Sequence, residues 1–175
     1  MTPTIPPPEQ TTLLAISIPG DPVGKGRPRL GIIAGHAHAY TPKGTVEWER
    51  SAANMMRAAW RQAPLDIPVS VTIEAVTARP QRLLRKKDPN CRLWRRAKPD
   101  ADNVAKACLD AGNGLLYEDD AQVAQLTILR VVAAEGEAPR VEVTVEPFDL
   151  TRRSPGSREA MSPASGSPVP AKPTT

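Results

Sequence analysis

The chain has 175 residues, a formal net charge of +4, and only 3% aromatic residues. That length allows one domain with a real core, built mostly from Val, Ile, Leu and Ala. No apolar run is long enough to span a membrane, and the Pro- and Thr-rich start is not a signal peptide.

Residues 1–10 read as a disordered lead. Leu13 to Ile18 is a short apolar run closed by Pro19-Gly20, which predicts a strand. A Gly- and Pro-rich loop follows, carrying Lys25, Arg27 and Arg29. Arg29–Ile33 and Ala37–Thr41 are expected to pair as a hairpin. From Thr45 to Gln62 the pattern turns helical: Val46, Ala53, Met56 and Trp60 share one face, with Trp48, Ala52, Met55 and Ala59 beside it, and Pro64 ends it. Val69 to Val76 alternates as a half-buried strand does. A basic stretch then leads to a helix from about Ala101 to Ala111, stopped by Gly112-Asn113-Gly114. Val123–Val132 and Arg140–Val145 read as two further strands. Residues 150–175 turn to Pro, Ser, Ala and Arg with almost no large apolar side chain, which predicts a disordered tail. The expected fold is therefore α/β (α+β), a single compact domain over residues 11–149 with one mixed sheet packed against two main helices. Cys91 and Cys108 are far apart and suggest neither a disulfide framework nor a zinc site, so a reducing, cytoplasmic setting fits.

The most informative segment is Lys98-Pro99-Asp100-Ala101-Asp102-Asn103-Val104-Ala105-Lys106, continuing to Asp119-Asp120-Ala121-Gln122-Val123. In an extended approach to a helix, the spacing of Asp100 and Asp102 turns both carboxylates to one side. Lys106 lies one turn beyond Asp102. The ordinary reading makes one Asp a helix N-cap and Lys106 its salt-bridge partner. That leaves the second Asp and the Asp119-Asp120 pair to be explained separately. If Asp100, Asp102 and Asp120 converge, carboxylates about 4 Å apart repel by roughly 4 kcal/mol at an effective dielectric near 20. Such a cluster needs a proton or a bound cation. Hard oxygen ligands without His or Cys suit Mg²⁺, or Mn²⁺ in its place.

From Arg79 to Lys98 the chain carries nine Lys and Arg residues against one acid, Asp88, and this run leads directly into the aspartates. A solvated loop is the ordinary meaning of such a run; next to a cation-bearing pocket it also suits a polyanion. Arg95, Arg96 and Lys98 are the candidate DNA contacts here, with Lys25, Arg27 and Arg29 as a second basic set. Trp94 reads as packing the loop against the body, with stacking on a base as the alternative. A nucleotide-binding P-loop is excluded, because Gly20 to Lys25 is one residue short and Gly26 stands where Ser or Thr is required. His36 and His38 lack partners for a metal site.

The string KPDADNVAKACLDAGNGLLYEDDAQV resembles the signature of the RusA family of Holliday junction resolvases: D-x-D-N, a Lys four residues after the second Asp, then D-D-x-Q-V. The likeness extends more loosely over Leu13 to Phe148. Gly24 to Arg29, Tyr40 to Lys43 and Arg79-Pro80 resemble the corresponding parts of phage-type members. The resemblance implies metal ligands at Asp100, Asp102 and Asp120, Asp119 being the alternative, and an essential Lys106. Asn103 fits either a role holding a carboxylate or an early polar helix position. Some members carry Arg where this chain has Pro99, which puts a phosphate contact there in doubt. The implied function is Mg²⁺-dependent cleavage of four-way DNA junctions in recombination and repair, by a homodimer that makes two symmetric cuts. The alternatives are a nuclease for flaps or forks and a catalytically inactive junction-binding protein.

Overall fold

The computed structural model describes residues 12–26, 29–33 and 36–149. The lead, the tail and Arg27 lie outside them. In chain order the elements are β1 (Leu14–Pro19), β2 (Arg29–Ile33), β3 (His36–Tyr40), α1 (Lys43–Ala59), β4 (Val69–Thr77), β5 (Leu93–Trp94), α2 (Ala101–Gly112), β6 (Val123–Val132) and β7 (Arg140–Pro147). A five-stranded mixed sheet has the order β1-β7-β4-β6-β5, while β2 and β3 form the expected hairpin apart from it. β4 and β6 run parallel; the other neighbours in the large sheet are antiparallel. A parallel pair needs a long crossover. Here the crossover contains the basic loop, β5 and α2.

Period-two alternation gives the sheet one apolar face. Val69, Val71, Ile73 and Ala75 of β4, Val141, Val143 and Val145 of β7, and Leu14 and Ile18 of β1 are buried there. Ala52 and Met56 of α1 and Val104, Ala105, Cys108 and Ala111 of α2 pack into the same core. Thr72 and Thr127 are exposed on the opposite face, flanked by half-buried Thr144, so both helices cover one side only. The burial stripe of α1 runs through Thr45, Ala52 and Met56, and Val46, expected on it, is exposed. The helix also stops at Ala59, before the expected Gln62. Trp60 takes an extended conformation, its backbone N–H bonds to the Met56 carbonyl, and its indole donates to the Ala63 carbonyl at 3.1 Å. α2 ends as expected, with Gly114 at φ +66, a conformation glycine adopts without strain.

Candidate active site

Two backbone devices hold the start of α2. The Arg130 guanidinium, from β6, donates to the carbonyls of Ala97 and Pro99. On the other side the loop before β2 packs against the helix. Lys25 N–H donates to the Asn103 carbonyl at 2.8 Å, and Gly24 lies so close that a Cβ there would meet the Pro99 Cβ at 2.6 Å.

Asp100 occupies the N-cap position of α2, and its carbonyl accepts from Val104 N–H, but its carboxylate makes no capping bond. Asp102 follows in the first turn and Lys106 one turn later, both exposed. Neither ordinary role is taken up. Asp102 and Lys106 form no ion pair, and none of the three side chains bonds to another described residue. The carboxylates gain from the positive end of the helix dipole, yet their oxygens stay available to a ligand. The Asn103 side chain bonds to neither aspartate.

The Asp119-Asp120 pair divides its labour. Asp119 caps a short 3-10 turn over Asp120–Gln122, accepting from Ala121 N–H at 2.8 Å, while Gln122 Oε1 accepts from Asp119 N–H at 3.0 Å. Gln122 Nε2 donates onward to the Leu65 carbonyl at 2.9 Å. This reciprocal box is present in the sequence as D-x-x-Q. It commits Asp119 and leaves Asp120 exposed, its carboxylate without a hydrogen bond among the described residues.

Asp120 lies beside the other end of α2. Tyr117, three residues earlier, donates from its hydroxyl to the Leu109 carbonyl at 3.0 Å; burial raises its pKa and the neighbouring charge of Asp120 adds to that. With 12 residues in α2, its two ends are about 18 Å apart. Among the described residues no three His, Cys, Asp or Glu side chains gather to hold a metal ion. The single pocket expected within one chain is therefore not formed. β6 runs back alongside α2, so the segment before it meets the helix's last turn and Arg130 meets its first.

The basic residues also sort into two groups. Lys25, expected on DNA, lies 2.8 Å from Glu49 of α1 and 2.6 Å from Asp110 of α2. Burial works to lower its pKa, but the bonds to Asp110 and Glu49 raise it overall. Held this way, Lys25 ties the two helices together and is not offered to a phosphate. Arg79 donates to the carbonyls of Leu83, Pro89, Cys91 and Ala133, which folds the basic loop back on the body. Arg85 pairs with Asp88, and Arg92 with Glu74 and Glu137. Arg95 donates to the Lys98 carbonyl at 2.5 Å, with its Nε buried and unpartnered. Arg82, Lys86, Lys87 and Lys98 remain exposed, without such partners among the described residues. Trp94, expected to pack, is 74% exposed, with the Arg96 guanidinium 5.4 Å from its ring centroid. Arg29 lies on β2 opposite Tyr40.

The chain is similar to an uncharacterised Bacillus subtilis (strain 168) protein, YqaN, with 29% identity over 137 residues, spanning 75% of this chain and 94% of that protein. Residues 19–146, from the end of β1 nearly to the end of β7, match the family described as endodeoxyribonuclease RusA. The free carboxylates of α2, the capped Asp119-Asp120 turn and the sheet that carries them all fall inside that match, and the chain belongs to the RusA endodeoxyribonuclease family.

Proposed function

We propose that this protein is a Mg²⁺-dependent endonuclease that resolves four-way DNA junctions as a homodimer. Asp100 and Asp102 of one copy and Asp120 of the other hold the metal. The reading rests chiefly on one observation: Asp100, Asp102 and Asp120, at the two ends of α2, have side chains without partners among the described residues. Exposed carboxylate oxygens suit a hard divalent ion, and one chain offers two at one end of the helix and the third at the other. Two copies related by a two-fold axis offer two complete sets, as paired cuts in a symmetric junction require.

A bound Mg²⁺ supplies Lewis acidity, activating water and stabilising the charge that develops on the phosphodiester. The chain's own residues do the rest. Arg130 and the Gly24 loop fix the first turn of α2, so the carboxylates of Asp100 and Asp102 are held on a rigid element. Asp119 and Gln122 fix the turn that presents Asp120. Lys106 extends from the same helix face as Asp102 and balances charge on the attacked phosphate. Arg96, Lys98, Lys86 and Lys87 bind flanking phosphates, with Mn²⁺ accepted as a substitute for Mg²⁺.

The test uses labelled four-way junctions, flaps and forks, with Mg²⁺ or with EDTA. Mg²⁺-dependent paired nicks in the four-way junction are expected. Asp102→Asn and Asp120→Asn are each expected to abolish cutting while leaving junction binding intact. Mixing the two variants is expected to restore a single nick, because one site of the mixed dimer then carries all three aspartates. A mixture that stays dead while each variant still binds rejects the shared site. A wild-type chain that binds junctions but cuts none rejects the enzyme reading, and faster cutting of flaps or forks redirects it to those substrates.

A further inference from the structure

We infer that Trp94 is a specificity-determining residue, whose indole stacks on a nucleobase left unstacked at the branch point of a DNA junction. This rests on the reading of the chain as a junction-cleaving enzyme, and it names a feature that tells a branch from plain duplex.

Trp94 is the most exposed large apolar side chain among the described residues, at 74%. On a loose loop that would mean little, but the backbone here is held on both sides. β5 pairs with β6, Leu93 opposite Val132 and Trp94 opposite Val131. Before β5, Arg79 gathers the carbonyls of Leu83, Pro89, Cys91 and Ala133, and Arg92 pairs with Glu74 and Glu137. After it, Arg130, the residue preceding Val131, holds the carbonyls of Ala97 and Pro99. Between these anchors the alternation of an extended chain sorts the side chains. Leu93 and Arg95 are half-buried, with Arg95 donating to the Lys98 carbonyl, while Trp94 and Arg96 are both exposed. The Arg96 guanidinium lies over the indole, 5.4 Å from its centroid. Such exposure leaves the rest of the ring open to a ligand, on a backbone that does not need an aromatic residue to pair.

Chemistry selects the ligand. An aromatic ring with a guanidinium against it accepts another flat π-system, and every nucleobase offers one. The exposed cations of the same segment, Arg82, Lys86, Lys87, Arg96 and Lys98, suit a polyanion and not an apolar protein surface. Trp94 precedes Asp100 by six residues. That length of chain reaches at most about 21 Å, so the indole stands within about six base-pair steps of the first aspartate. In continuous duplex the neighbouring bases cover each base face. At a branch the stack is interrupted, and turning a base out costs least where pairing is already broken. A rigid stacking platform at this distance from the aspartates therefore favours a branch over duplex.

Binding of the full chain is measured by fluorescence anisotropy in EDTA, where no cleavage intervenes. The labelled probes are a four-way junction, a continuous duplex and a single strand, and the fold of each variant is checked by far-UV circular dichroism. Trp94→Ala is expected to weaken binding of the junction and the single strand about 5- to 100-fold, and of the duplex less than about twofold. Its plot of log affinity against log salt should shift in parallel to that of wild type, because stacking neutralises no phosphate. Trp94→Tyr should bind the junction as wild type does, and Trp94→Leu, which has no π-face, should not. Junction binding should quench tryptophan emission in wild type but not in Trp94→Tyr, which retains Trp48 and Trp60. The inference is overturned if Trp94→Ala binds the junction like wild type, or if the duplex loses as much as the junction. A lowered salt slope also overturns it, reducing Trp94 to a prop for Arg96, as does rescue by Trp94→Leu or an equal quench in Trp94→Tyr. A chain that shows all the expected binding effects but cuts no junction in Mg²⁺ supports the platform and rejects the nuclease reading. Mg²⁺-dependent cutting by a Trp94→Ala variant of wild-type affinity does the reverse.

Discussion

Gly24→Ala tests how the first turn of α2 is held. The new methyl would sit 2.6 Å from the Pro99 Cβ and 3.1 Å from the Asn103 Cβ, where carbon atoms ordinarily rest about 3.5–4.0 Å apart. A proline ring cannot rotate aside and Asn103 is within the helix, so loop and helix must separate by about 1 Å. Overpacking of this kind costs about 1–3 kcal/mol. In a domain of this size that lowers Tm by about 3 °C per kcal/mol. The displacement falls on the turn that carries Asp100 and Asp102, and a 1 Å error in a reacting group can cost about 100-fold in rate. Gly44→Ala is the control: nothing lies within 4 Å of its Cβ position, and it sits in α1, where alanine is the better helix former by up to about 1 kcal/mol. Thermal unfolding and single-turnover junction cleavage are measured on both variants. Gly24→Ala should lose on both and Gly44→Ala on neither. If Gly24→Ala melts and cuts like wild type, the loop does not brace the helix.

Other perturbations test separate parts of the molecule. Lys25→Met leaves Glu49 and Asp110 facing each other without their cation, and should cost about 1–3 kcal/mol in denaturant unfolding at pH 7. Because the folded pKa of Lys25 is raised above 10.5, its contribution is fully present below that value and is lost as pH climbs through the raised one. The gap to wild type should therefore close only in strong alkali. Glu137 is held at about 2, well below its ordinary 4.5, by bonds from Arg92, the Ala134 N–H and Arg140. Its contribution is present above pH 4.5 and fades as pH falls towards 2, so the Tm difference between wild type and Glu137→Gln should shrink over that range. Charge reversal at Arg96 and Lys98 should weaken junction binding and reduce the slope of log affinity against log salt by about 0.9 for each phosphate no longer neutralised. An unchanged slope removes that loop from the DNA interface.

Much of the fold can be read from the residues, because β4, β6 and β7 declare themselves through alternating or sustained apolar residues and α2 ends at a glycine pair. β5 cannot, since two residues carry no period and their pairing is set by the long loop that Arg79 folds back. The end of α1 falls earlier than its periodicity implies because a local contact, the Trp60 indole on the Ala63 carbonyl, acts before Pro64 does. At the site, the aspartates stand out by spacing, and the D-x-x-Q box assigns Asp119 to structure. That Asp120 lies at the far end of α2 is hidden, because it follows from β6 running alongside that helix. Lys25 departs from its expected place on DNA for a similar reason. Its partners Glu49 and Asp110 are distant in the chain, and a basic residue on a Gly-rich loop reads the same whether it faces solvent or two carboxylates.

The four carbonyls gathered by Arg79 bear on how this loop can vary. A single guanidinium, anchored just after β4, fastens backbone from three separate places, so the intervening peptide is a removable cassette. Residues can be inserted or deleted around Lys86 and Lys87 while the fastening points still reach that one side chain. Replacing Arg79 would release all four carbonyls at once and leave the loop held to the body by Arg92 on Glu74 and Glu137.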